Sequence, residues 1–97
     1  MKYETHMTEK FQKWLKSLRD RKTVKAIALR MARAECGNFG DIKSVGDGVS
    51  EMRIFIGKGY RVYFTIIDKT IVLLLCGGDK SSQSRDIEAA KNINMKG

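Results

Sequence analysis

At 97 residues, with 42% apolar and 31% charged side chains, the chain has room for one folded core and has globular rather than disordered composition. Its longest apolar run, Ile71 to Cys76, is far short of a transmembrane helix, and the first residues lack the apolar stretch of a secretion signal. Two cysteines, Cys36 and Cys76, exclude a disulfide scaffold and read as thiols in a reduced, cytoplasmic setting.

In chain order, Met1 to Met7 is short and mixed and reads as an edge strand. Thr8 is placed to cap a helix whose first turn carries Glu9, and Phe11, Trp14, Leu15 and Leu18 follow at the spacing of one helical face. Asp20 is placed to cap a second helix, with Val24, Ile27, Ala28 and Met31 as its stripe and Gly37-Asn38 as its stop. From Asn38 onward, glycines punctuate β-prone runs. Ile42–Val45 is a short strand. In Val49–Ile56, Met52, Ile54 and Ile56 share one face while Glu51, Arg53 and Phe55 take the other. Gly57-Lys58-Gly59 makes a hairpin. In Tyr60–Ile67, Val62, Phe64 and Ile66 point inward and Arg61, Tyr63 and Thr65 outward. Asp68-Lys69 is a second turn, and Thr70–Cys76, apolar on both faces, is an interior strand covered on both sides. Ser81 or Ser82 to Asn92 is a last helix with Ile87, Ala90 and Ile93 facing the core. The order βααββββα specifies an α+β domain over residues 1–97: an antiparallel meander with two leading helices on one face and a C-terminal helix.

The formal net charge of +8 is concentrated. Between Lys10 and Arg33 stand nine basic residues and one acidic residue, Asp20, whereas elsewhere the charges cancel. Such a field attracts polyanions, or simply solvates a helix face. The sequence offers no zinc-ligand spacing, no phosphate-binding loop, no dinucleotide fingerprint and no Ser–His–Asp arrangement; His6 stands alone. No metal or cofactor is implied. What remains is a group of cations on the meander. Arg53 and Arg61 have the same parity on strands joined by one hairpin and fall on one sheet face if the register holds. Lys58 sits in the turn, Lys80 follows the interior strand, and Arg85 lies one helical turn further on. Guanidinium groups grip phosphate oxygens and stabilise the charge that builds up when RNA is cut, and a lysine among cations can act as general acid or base. Salt bridging on a small sheet accounts for the same spacing equally well.

The segments Val49–Phe64, Leu74-Leu-Cys-Gly-Gly-Asp-Lys-Ser-Ser-Gln83 and Arg85-Asp-Ile87 resemble the RelE/ParE toxin superfamily, most closely its branch of addiction module killer proteins, the HigB-like toxins of type II toxin–antitoxin pairs. Gly37–Gly46 and Phe11–Leu15 fit the same branch, so the resemblance runs from Thr8 to Ile93. It implies the RelE-like form of the α+β fold, with a mixed edge to its meander. It also implies a cytoplasmic toxin that blocks translation as an mRNA interferase, an endoribonuclease working on the ribosome without metal. The RNA 2′-hydroxyl attacks the adjacent phosphate. The implied catalytic residues are Arg61, which matches the Gly-Tyr-Arg motif, Arg53 and Lys80. Lys58, Arg85, Lys43 and Tyr63 are the implied RNA contacts, Tyr63 by stacking. The superfamily's C-terminal tyrosine has no counterpart, because Ile87 or a neighbour stands there. The general base is thus left among Lys80, Lys58 and Glu51. The implied partners are a helix-turn-helix antitoxin, the ribosome and mRNA, with no membrane. Two alternatives share the fold: a ParE-like inhibitor of DNA gyrase that is not an enzyme, and a degenerate toxin that only binds antitoxin or RNA.

Overall fold

The structure, a computed structural model, describes residues 2–96. Its elements are β1 (Glu4–Met7), α1 (Glu9–Ser17), α2 (Arg21–Glu35), β2 (Ile42–Gly46), β3 (Val49–Ile54), β4 (Tyr60–Ile67), β5 (Ile71–Asp79) and, after a 3-10 turn at Lys80–Ser82, α3 (Gln83–Lys96). The sheet order is β1-β5-β4-β3-β2. The meander β2 to β5 is antiparallel throughout, and β1 adds to β5 in parallel, so the sheet is mixed at that edge. Met1, with which the predicted first strand begins, lies outside the described residues.

Local chemistry sets the helix ends. The Thr8 hydroxyl accepts from the Phe11 N–H at 3.0 Å and donates to the Leu75 carbonyl at 2.6 Å, so one residue caps α1 and ties it to the sheet. Asp20 accepts from the Lys22 N–H at 3.0 Å and starts α2. At the far end of α2, the Gly37 N–H donates to Ala34 O at 2.9 Å and the Asn38 N–H to Arg33 O at 2.9 Å. This is a Schellman closure, which needs the positive φ that Gly37 adopts at 87°. The β2–β3 hairpin turns through Asp47 and Gly48, both at positive φ, the signature of a tight primed turn.

The sheet separates two cores. On one face, Phe11 of α1 and Ile27 and Ala34 of α2 pack on Met52, Ile54, Val62, Phe64, Val72 and Leu74. On the other, Ala90, Ile87 and Ile93 of α3 pack on Val49, Tyr63, Leu75 and Cys76. A bulge in β5 opposite Tyr63 and Phe64 leaves Leu75 and Cys76 on the same face, which feeds the second core.

Three expectations are corrected by this packing. Tyr63 and Thr65 do face away from the two leading helices, but α3 covers that face, so neither meets solvent. The buried stripe of α2 is rotated from the predicted one: Thr23 and Ala34 are buried and Ala28 is exposed. Arg30 does not belong to a free basic face. Its guanidinium donates to the carbonyls of Arg53 at 2.6 Å and Phe39 at 3.0 Å, clamping the segment that leads into β2.

The two thiols differ in kind. Cys36 is exposed, whereas Cys76 is buried with its Sγ–H donating to the Asp86 carbonyl at 3.5 Å, and burial pushes that thiol up to about 11. Because the thiolate is the reactive form, alkylation of the folded protein near pH ~8 is expected to modify Cys36 alone, and both cysteines only after unfolding. Equal labelling of both thiols in the native state, read by mass spectrometry, would contradict the burial of Cys76.

Candidate functional site

Five residues, 55–59, connect β3 to β4, and the pairing that follows places Arg53 directly opposite Arg61 and Ile54 opposite Tyr60. Side chains alternate along a strand, so Glu51 and Tyr63 stand beside this arginine pair on the same face. α3 covers Glu51 and Tyr63. Towards the hairpin the face opens into a cleft of about 390 Å³, lined by the 53–61 hairpin and Lys80. That volume falls in the range of roughly 300–1,000 Å³ of sites that hold a small ligand. Lys80 reaches the cleft because its own N–H donates to the Gly59 carbonyl at 3.0 Å, which fastens the end of β5 to the hairpin.

The cleft thus brings together Arg53, Arg61, Lys58 and Lys80. It does not include Lys43, exposed on β2 in register with Glu51, or Arg85, exposed on α3. Tyr63 is a correction. It is fully buried, it donates its hydroxyl to Glu51 Oε2 at 3.1 Å, and burial together with the neighbouring carboxylate raises it above the usual phenol range. A phenol held in that way neither stacks on a base nor gives up its proton.

Like charges directly opposite one another in a sheet repel, and each arginine is held by its own carboxylate. Arg53 Nη2 lies 2.8 Å from Asp41 Oδ1, and this bond raises the Arg53 guanidinium further and keeps it charged. Arg61, with only 13% of its side chain exposed, has its Nε 3.5 Å from Glu51 Oε2, close enough to balance charge but too poorly aligned to hydrogen bond. The same Glu51 oxygen also accepts from Gln83 Nε2 at 2.9 Å. The Nε atoms of both arginines are buried without a hydrogen-bond partner, and among the described residues neither Lys58 nor Lys80 forms an ion pair. The buried Nε atoms are out of reach of a ligand, but a cleft with this surplus of positive charge is suited to an anion with several oxygens, such as a phosphodiester.

Asp41, Gln83 and Phe55 also belong to this arrangement, though none stands out as a site residue in the sequence. Asp41 and Gln83 come from distant segments, and no spacing rule places them here. Phe55 was legible as the aromatic residue of the same parity as Arg53, immediately before the turn. Beside the cleft, Asp79 caps the 3-10 turn: the Ser81 hydroxyl and N–H donate to its carboxylate, which they hold below the usual range, so Asp79 is committed to the backbone.

No protein-family model matches the chain. It is 47% identical over 91 residues to an uncharacterised protein of Haemophilus influenzae, across 94% of this chain and 92% of that one. Among solved structures it is similar to an E. coli toxin RelE, a double arginine-to-alanine mutant in the free state, with a TM-score of 0.76, 19% identity and 96% and 99% of the two chains covered. It is also similar to the toxin-antitoxin complex RelBE2 of Mycobacterium tuberculosis, with a TM-score of 0.63, 18% identity and 82% and 100% covered.

Proposed function

We propose that this chain, which belongs to one family with the Haemophilus influenzae protein and has the fold of the RelE toxin, is the toxin of a type II toxin–antitoxin pair of the HigB-like branch and cuts mRNA on the ribosome. The observation that carries the reading is the convergence of Arg53, Arg61, Lys58 and Lys80 on one cleft. In the proposed step the 2′-hydroxyl of the RNA attacks the neighbouring phosphorus, the bond to the 5′-oxygen breaks, and a cyclic phosphate and a 5′-hydroxyl result. Arg61 and Arg53 grip the non-bridging oxygens as negative charge accumulates, and Lys80 stands by the oxygen that leaves. Lys43 and Arg85, outside the cleft, take no part in this step.

The exposed cations of α1 and α2, from Lys10 to Arg33 apart from the engaged Arg30, supply a broad surface for a polyanion. In free toxin this surface lies against ribosomal RNA. In the neutralised pair it takes acidic residues of a helix-turn-helix antitoxin.

The test is translation-coupled cleavage of a defined mRNA. Arg61→Ala is expected to lower cleavage by roughly 10²–10³-fold, the loss typical when one preorganised charge stabiliser is removed. Arg53→Ala, whose partner Asp41 is partly solvated, serves as the variant that folds normally, and a clear loss of cleavage is expected there too. Undiminished cleavage by both would remove the cleft from the mechanism. Intact mRNA together with inhibited DNA supercoiling would replace the nuclease by the gyrase-binding alternative.

A further inference from the structure

We infer that Phe55 is a stacking platform for a base of single-stranded RNA held in the cleft. This rests on the function proposed above and adds how that site takes hold of its substrate. Phe55 is the first residue of the β3–β4 connection and lines the cleft, yet 77% of its surface is left in water. A lone exposed apolar side chain is ordinary on a protein surface. Phe55 is distinguished by its surroundings. The Arg53 guanidinium lies 5.9 Å from its ring centroid, so one side chain that would bind phosphate and one that would bind a base are neighbours. Lys58 and Lys80 stand on the same cleft, so a strand whose phosphate sits on the cations has an aromatic ring within one nucleotide of it.

The chemistry fits single-stranded RNA better than a duplex, because only an unpaired base can swing out and lie flat on a ring. Stacking reads no hydrogen-bond pattern, so Phe55 supplies affinity with little sequence preference. The assignment also gives the cleft the aromatic contact that Tyr63, sealed under α3, cannot provide. Phe55 packs on no core residue, so replacing it leaves the fold intact.

Binding, rather than cleavage, isolates the effect. The full chain is titrated with two oligomers of equal length and charge, an RNA with 2′-O-methyl riboses and the same backbone without bases. Phe55→Ala is expected to weaken the base-bearing oligomer about tenfold or more and to leave the abasic one unchanged, and Phe55→Trp is expected to bind the first at least as well as wild type. Loss of the same size on both oligomers, or on neither, overturns the stacking role and leaves the cationic cleft standing. If the wild-type chain binds neither oligomer, the stacking platform is overturned, whereas the nuclease reading, which concerns mRNA on the ribosome, stands or falls by the translation-coupled cleavage assay.

Discussion

Glu51→Ala is expected to destabilise the protein by about 3–5 kcal/mol, the cost of breaking a buried ion pair by deleting one partner. Glu51 is 1% exposed, and one of its oxygens, Oε2, faces the Tyr63 hydroxyl at 3.1 Å, the Gln83 amide at 2.9 Å and the Arg61 Nε at 3.5 Å. Without the carboxylate, a phenol and an amide lose a buried acceptor, and a mostly buried guanidinium loses its counter-charge. Small domains have only about 5–15 kcal/mol of net stability, so this is a large fraction of the whole. A chain of this length should lose about 12 °C or more in its unfolding midpoint. Glu51→Gln should lie between: its amide can accept from Tyr63 but carries no charge for Arg61. A double-mutant cycle with Arg61→Met separates the pair from the network. The Glu51→Ala penalty should fall by at least half in the Arg61→Met background, because the stranded charge is then gone. A midpoint within a few degrees of wild type for Glu51→Ala would refute the buried network. Because Glu51 also balances the charge of Arg61, the same substitution should slow the proposed RNA cleavage even under conditions where the variant is folded.

The fold was legible wherever the deciding interaction is short in sequence. In capping their helices, Thr8, Asp20 and the Gly37-Asn38 pair act on backbone groups within five residues of themselves, and each does what its residue type suggests. Alternation in β3 and β4 gave the face of Arg53 and Arg61 correctly because the hairpin keeps a regular register. Parity, however, distinguishes the two faces of a strand without saying what lies over them. Tyr63 therefore read as outward until α3 was seen to lie on it. The bulge near Leu75 is equally invisible in the run Ile71 to Cys76, where every residue is apolar and a slipped phase changes nothing in the pattern. Arg30 shows the opposite limit. It belonged to a basic run by count, but it stands three residues after Ile27 and four before Ala34, on the buried arc of α2, and is spent on backbone carbonyls. In the candidate site the cations were visible in sequence. Asp41, the partner of Arg53, and Gln83, which donates to Glu51, were not, because only the tertiary fold sets them beside the cleft.

Gly77→Ala should be nearly as damaging as loss of Glu51, at about 3 kcal/mol, near the upper end for forcing extra volume into a packed interior. Gly77 and Gly78 are consecutive in β5, buried, and paired with Val62 and Arg61. Neither has the positive φ that would by itself demand glycine. What demands it is close approach on both sides of the strand. A Cβ on Gly77 would overlap the indole ring of Trp14, and one on Gly78 would overlap the Asp86 carboxylate and come within 2.7 Å of Ser82 Oγ. The paired glycines let α1 and the start of α3 close onto opposite faces of one strand. If the Trp14 clash is the cause, Trp14→Leu should relieve it. The double variant should then be more stable than Gly77→Ala alone, although Trp14→Leu by itself is destabilising. Additive losses, measured by denaturant unfolding, would show that the backbone and not the indole requires glycine. The consequence reaches the cleft, since Lys80 follows three residues after Gly77 and is fixed by its N–H bond to the Gly59 carbonyl. A strand displaced by Trp14 carries Lys80 with it, so Gly77→Ala should lose RNA affinity beyond what its unfolded fraction explains, and Trp14→Leu should restore both together.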